Sequence, residues 1–302
     1  MFGQRLVTVP VIALLAALPA ALPAALTGCG SSQDGAGEPG IATVAAFYPL
    51  GWVAQRVGGD HVSVELLTGP GVEPHDVELS PQQVAQVADA EMLVVERGFQ
   101  PAVDDVVEQE ADVRVVDAAD VVRLVPDAEG GTDPHFWLDP TRMAGFARAV
   151  AAGYAEVDPT HAASYRRAAD VLAAELRRLD RDYTERLTGC RTDTLVTGHD
   201  AFGYLAERYG MTVLPITGVD PGSEPSPERL AELTGLVRTH DVTTVFTETL
   251  VSPAVAATLA DEAGVEVATL DPIEGLTDAT AGEDYLSLMR SNLDTLARAN
   301  GC

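Results

Sequence analysis

The sequence predicts an α/β protein of two parallel-sheet halves joined by one long helix. Two observations lead there. From residue 41 onward, short β-rich runs alternate with helical stretches, and strands alternating with helices at this spacing imply βαβ units and a parallel sheet. The alternation is interrupted once, at 159–187, by a single amphipathic stretch, and then resumes. At 302 residues and 46% hydrophobic composition, the chain can build one large domain or two ordinary ones with real cores.

Residues 1–26 lie outside that pattern. They carry one basic residue (Arg5), an Ala/Leu/Val run and no acid, and Pro19 and Pro23 interrupt the run. This reads as a signal peptide over 1–28 rather than a membrane span. Leu26-Thr-Gly-Cys29 resembles a bacterial lipobox, which makes Cys29 the lipidated first residue of the exported protein. Residues 29–40 are then the lipidated cysteine and a Gly/Ser/Asp tether.

In the first half, 41–157, strands are expected over 43–48, 62–67, 92–95 and 113–116. Helices fall at 50–58, from Ser80-Pro81 to about residue 90, at 101–110 and from Thr141 to about Tyr154. Ser before Pro is an N-cap followed by the residue best suited to the first helical position. The polar, Gly-containing stretch 118–134 reads as a long surface loop. Within the linking segment, 158–189, Asp158-Pro159 opens the long helix. Ala162, Tyr165, Ala169, Leu172, Leu176, Leu179, Tyr183 and Leu187 recur at helical period, with Arg, Asp and Glu on the other face. At 1.5 Å per residue it would run roughly 40 Å, a strut between the halves. In the second half, 190–302, strands are expected at 194–197, 212–216, 243–247 and 265–269. Helices fall at 200–209, from Ser226-Pro227, from Ser252-Pro253 and at 283–299.

The formal charge is −27, with Arg as the only basic residue and no Lys. Nucleic-acid phosphates need a basic footprint, so that partner class is excluded. An acidic surface concentrates cations, and it also keeps an exported protein soluble. With Cys29 assigned to lipid, Cys190 and Cys302 remain as a pair. In an oxidising compartment a disulfide is their default state, and they are too far apart for a CxxC motif.

Three of the six histidines sit in Gly/Pro loops just after apolar runs: Glu73-Pro-His75-Asp, Asp133-Pro-His135-Phe-Trp-Leu-Asp-Pro140 and Gly198-His199-Asp. Proline stiffens the backbone beside it, which suits a ligand that must be aimed. In open parallel sheets, ligands bind beyond the carboxyl ends of the strands. His75, His135, His199 and Asp271 (in Leu270-Asp-Pro272) all lie there and can face one cleft. Three imidazoles and a carboxylate complete four-coordination of a borderline cation, with zinc the best match. Glu248 also follows a strand, as a supporting carboxylate behind the ligands, a ligand, or a helix cap. His61, His161 and His240 read as surface residues, and Phe136 and Trp137 as packing around the site.

Taken together, Gly71-Val-Glu-Pro-His75-Asp, Asp133-Pro-His135-Phe-Trp-Leu-Asp-Pro140, Gly198-His199-Asp-Ala-Phe-Gly-Tyr204, Glu248-Thr-Leu-Val-Ser252 and Leu270-Asp271-Pro resemble the zinc/manganese solute-binding lipoproteins of bacterial ABC transporters, in their zinc-binding branch. The similarity covers essentially all of 41–300. It implies two Rossmann-like α/β lobes joined by a rigid backbone helix, with the metal in the cleft between them. By motif, it assigns His75, His135, His199 and Asp271 as ligands. Manganese members of the family tend to have Glu where this chain has His199, which favours zinc. Many zinc members carry a His-rich loop before the second motif, whereas 118–134 contains no His.

The expectation is therefore a monomeric, non-enzymatic protein, lipid-anchored through Cys29 to the outer face of the cell membrane. It would capture Zn²⁺ and deliver it to a permease and its ATPase. The alternatives are a manganese or iron binder of the same architecture, a zinc hydrolase, and a surface adhesin. A hydrolase needs an open coordination position and a base; there is no HExxH motif, and Glu248 is the one base to name.

Overall fold

The first sheet of the computed structural model is fully parallel, in the order β2-β1-β3-β4. Its strands are β1 (Ile41–Ala45), β2 (Val62–Leu66), β3 (Met92–Val95) and β4 (Arg114–Asp117), and helices α1 (Tyr48–Gly58), α2 (Pro81–Ala88) and α3 (Pro101–Val107) cross between them. The structure describes residues 40–110, 113–127 and 130–302. The expected leader, Cys29 and the tether up to residue 39 lie outside the described residues. All described residues belong to one compact unit, Gly37–Cys302, and among them no helix is long and apolar enough to cross a membrane.

After β4 come a short helix α4 (Ala118–Val121) and two two-residue strands, β5 (Val125–Pro126) and β6 (Thr132–Asp133), paired antiparallel. The expected loop thus contains regular elements, and the reason is tertiary. The Tyr204 hydroxyl, from the second half, accepts a hydrogen bond from Val125 N (2.9 Å) and donates one to Asp133 O (2.7 Å). The first strand is also shorter than expected. It ends at Ala45, because Tyr48-Pro49 opens α1, where proline is preorganised for a helix start.

Helix α5 (Pro140–Val157) is capped by Asp139, whose carboxylate accepts from Thr141 N at 2.7 Å. The linking stretch then begins as a 3₁₀ turn, Pro159–His161, and continues as α6 (Ala162–Arg186). At 25 residues it spans about 37 Å. Its stripe of Tyr165, Ala169, Leu172, Leu176, Leu179 and Tyr183 is buried. It packs on α1 and α5 of the first half and on α10 (Tyr285–Asn300) of the second, where the Tyr183 hydroxyl donates to Met289 O at 2.6 Å.

The second sheet contains β7 (Thr194–Thr197), β8 (Thr212–Pro215), β9 (Thr244–Thr247) and β10 (Glu266–Thr269), in the order β10-β9-β7-β8 and again parallel. Helices α7 (Gly203–Tyr209), α8 (Pro227–Thr239) and α9 (Ala254–Ala263) connect these strands. Read from its other edge, this order is second-first-third-fourth, the same as in the first half. In both sheets the chain reverses its direction of winding between the first and third strands. The crevice that ligands use opens at that switch point, beyond the strand carboxyl ends.

The halves are not separately packed. One apolar cluster runs from Phe47, Leu50 and Trp137 through the stripe of α6 to Leu270, Tyr285 and Leu296. Trp137 Nε1 donates to Pro272 O (2.7 Å), and the Tyr285 hydroxyl donates to Trp137 O. A smaller cluster, including Val196, Leu233, Val245 and Leu259, covers the remaining face of the second sheet.

Cys190 and Cys302 are disulfide-bonded, with Cα atoms 4.0 Å apart and 112 residues of separation. The bridge ties the end of α10 to the start of the second half. The Arg191 and Thr192 amides, which both donate to Asn300 O, reinforce that junction. Closing a loop of this length stabilises by ~4–5 kcal/mol in the chain-entropy model. The double variant Cys190→Ser/Cys302→Ser should unfold at a correspondingly lower urea midpoint, and its metal stoichiometry should be unchanged. An unchanged midpoint would show that the unfolded chain is not appreciably constrained by the bridge.

Candidate metal centre

His75, His135, His199 and Glu274 converge, with one ligand atom from each within 4.8 Å of the others. His75 comes from the loop after β2, His135 from just beyond β6, His199 from just beyond β7 and Glu274 from beyond β10. Glu274 Oε1 lies 3.0 Å from His135 Nε2, 3.2 Å from His199 Nε2 and 3.5 Å from His75 Nε2. The Nε2 atoms of His135 and His199 are 3.3 Å apart. A tetrahedron with metal–ligand bonds of ~2.0–2.1 Å has edges of about 3.3–3.4 Å. The four separations bracket that value.

Two of the imidazoles are aimed by carboxylates behind them. Asp133 Oδ1 receives both the amide of His135 (2.9 Å) and its Nδ1 (2.8 Å). Glu248 takes the amide of His199 on Oε1 (2.8 Å) and Nδ1 on Oε2 (2.5 Å). A carboxylate on Nδ1 fixes the tautomer and leaves the Nε2 lone pair for a metal. Gly198 is required for this approach, since a Cβ there would stand 2.6 Å from Glu248 Oε1. His75 is held through its backbone: its amide donates to the Glu73 carboxylate at 3.1 Å, and Pro74 O accepts from Gln100 Nε2 at 3.0 Å. Over the cleft, Gly71 N donates to Leu276 O at 2.7 Å, linking the loop before His75 to the loop after Glu274.

The centre is dry: His135 and His199 are fully buried, and Glu274 is 2% exposed. Burial works to raise the Glu274 carboxyl, but hydrogen bonds from His135 and His199, with the His75 ring 3.5 Å away, outweigh it and hold the group well below the usual carboxylate range. Burial would lower His199, yet its contacts to Glu248 and Glu274 push it up to about 10. His135 is likewise raised, against burial, by Asp133 and Glu274, whereas burial lowers His75. His75 Nε2 is buried without a hydrogen-bond partner. A cation bound at the centre of the tetrahedron would satisfy that orphaned atom and replace the protons the other imidazoles carry.

Residues 43–299 match the family described as ZnuA, zinc-uptake complex component A, periplasmic. The chain belongs to this family. Among its relatives, the zinc-binding lipoprotein AdcA of Streptococcus pneumoniae is 34% identical over 291 residues, covering 90% of this chain and 58% of the relative. The chain thus spans little more than half the length of the pneumococcal protein. The high-affinity zinc uptake system protein ZnuA of Bacillus subtilis is 30% identical, with 89% of this chain and 91% of the relative covered. The crystal structure of Zn(II)-bound AdcA from Streptococcus pneumoniae superposes with a TM-score of 0.76 at 34% identity, over 86% of this chain and 57% of that one.

In this chain the fourth converging group is Glu274, where the sequence suggested Asp271. Asp271 Oδ1 is turned back to accept from Ile273 N (2.8 Å) and from the Thr249 hydroxyl (3.1 Å). Its main chain is clamped by Asn292, which accepts from Asp271 N and donates to Asp271 O. Burial pushes its carboxyl up to about 6. The chain then turns sharply: Ile273 has φ +60, a strained value for a β-branched residue. The hydrogen bond its amide donates to Asp271 and its complete burial hold it there. That turn carries Glu274 into the cleft. The local signal was Asp271-Pro272 itself, because Asp before Pro is a turn former whose carboxylate serves the backbone. Glu248 stands behind His199, with one oxygen on its amide and the other on Nδ1.

If Glu274 is the ligand, Glu274→Gln should lose divalent metal on gel filtration. Asp271→Asn should retain it, since Asn can take over the turn. Glu248→Gln should fall between them, with affinity about 10- to 100-fold weaker. Loss in Asp271→Asn with retention in Glu274→Gln would return the ligand to position 271.

Proposed function

We propose that this chain captures Zn²⁺ outside the cell membrane and delivers it to the permease of an ABC importer, with the ion as cargo. The observation that carries this reading is the closed, buried set of three imidazoles and one carboxylate at tetrahedral spacing, His75, His135, His199 and Glu274. Three nitrogen ligands favour a borderline cation such as zinc over manganese, which prefers oxygen. The names of the relatives, and the zinc in the pneumococcal structure, point the same way. Cys29 would carry the lipid that holds the protein at the membrane, and the importer's permease and ATPase would be its partners.

A hydrolytic role is less well supported. Catalytic zinc keeps one position open to water beside a free base. Here three imidazoles and one carboxylate already offer four ligand atoms, and both oxygens of Glu248 are engaged by His199. Elemental analysis of the purified protein should find one zinc per chain, retained against manganese in competition. Preferential uptake of manganese would overturn the assignment of cargo.

Protons compete with zinc for the imidazoles. His199 is raised to about 10 in the metal-free protein, so at neutral pH zinc must expel its proton. Because the folded value lies above the unfolded one, near 6.5, the stabilisation His199 gives the zinc-free protein is complete below about pH 6.5. It is lost as pH rises through about 10. Zinc binding strengthens over the same interval. The rise in melting temperature on adding zinc should therefore be larger at about pH 8.5 than at about pH 6 by differential scanning fluorimetry. A shift that stayed flat, or shrank with rising pH, would count against protonated imidazoles at the centre.

A further inference from the structure

The metal centre uses three of the six histidines, and two of the others meet elsewhere. His61 ends the 3₁₀ turn after α1, and His161 ends the 3₁₀ turn that opens α6. Their rings stack with centroids 3.9 Å apart and planes at 21°. Asp158 stands behind His161. Its Oδ1 caps the turn through the amides of Thr160 and His161, and its Oδ2 meets His161 Nδ1 at 2.5 Å and the Tyr165 hydroxyl at 2.8 Å. This repeats the arrangement of Asp133 with His135 and of Glu248 with His199: a carboxylate on Nδ1, with Nε2 left over. Among the described residues, neither ring nitrogen of His61 has a hydrogen-bond partner. The pair lies at the amino-terminal edge of the first sheet, beside the start of β2, whereas the buried centre lies beyond the carboxyl edge.

We propose that His61 and His161 form a second, open site for a divalent transition cation, with Asp158 positioning His161. Neutral imidazole suits Zn²⁺, Ni²⁺ and Cu²⁺. The stacked rings do not converge on one point as they stand, but the terminal ring torsion of histidine is broad, so rotation of the rings can turn a nitrogen of each toward one ion. The His161 side chain is 45% exposed, which gives an ion direct access from solvent. With two protein ligands and water in the remaining positions, the site binds more weakly than the closed centre and exchanges its ion freely. Its existence does not depend on which metal the buried centre carries.

Isothermal titration of the full metal-free chain with Zn²⁺ tests this. Wild type should show a tight first equivalent and a weaker second. His61→Phe keeps a ring stacked on His161 but removes the nitrogen ligands, and should abolish the second equivalent alone. Asp158→Asn should preserve the turn and weaken the second equivalent about 10-fold or more. His135→Ala should impair the first equivalent and spare the second, which separates this proposal from the reading of the buried centre. Saturation of wild type at one zinc, or a second equivalent unchanged in His61→Phe, would overturn it.

Discussion

A carboxylate sealed among three imidazoles is the interaction on which the rest of the molecule depends. An isolated buried charge costs several kcal/mol after relaxation, and Glu274 is almost completely enclosed. What offsets that cost is positive charge at its oxygen, carried by protons on the imidazoles or by a metal ion. The surrounding architecture keeps those groups at about 3 Å. Asp133 and Glu248 aim two rings, Gly198 admits Glu248, and Ile273 holds a left-handed turn. The unfavourable turn at Ile273 persists because its amide is hydrogen-bonded to Asp271 and its side chain lies fully within the core.

The sequence made much of this readable, for local reasons. Alternating strands and helices follow from hydrophobic period, and the starts at Ser80-Pro81, Asp139-Pro140 and Ser226-Pro227 follow from capping chemistry. His75, His135 and His199 were recognisable because each stands in a stiff loop just past an apolar run, and such loops open at the same edge of a parallel sheet. Other features depend on partners distant in the chain. The hairpin of β5 and β6 is held by Tyr204, about seventy residues later. Glu274 was missed because its placement depends on a φ that no propensity assigns to isoleucine. His61 and His161 looked like isolated surface residues because only the packing of α1 against α6 brings them together.

The repeated strand order explains why the centre forms where it does. Each half opens a crevice at the same topological point. Glu248 follows β9 and His199 follows β7, the two strands that flank the crevice of the second sheet. The first half contributes His75 and His135 from loops on its own carboxyl edge. The centre is assembled across the halves because each supplies only part of a coordination shell.

The continuity of the core has a kinetic consequence. Swinging the halves apart would bring Phe47, Trp137, Leu270 and Tyr285 into water, at ~1.5–3 kcal/mol for each side chain. Together that is roughly 6–12 kcal/mol, comparable with the entire stability of an ordinary domain. Wide hinge opening is therefore suppressed, and ions must come and go by local loosening of the covering loops. The bond from Gly71 to Leu276 joins the loop before His75 to the loop after Glu274, so such loosening has to break it. The dwell time of a bound ion is then governed by how often that bond opens, with the core beneath left undisturbed.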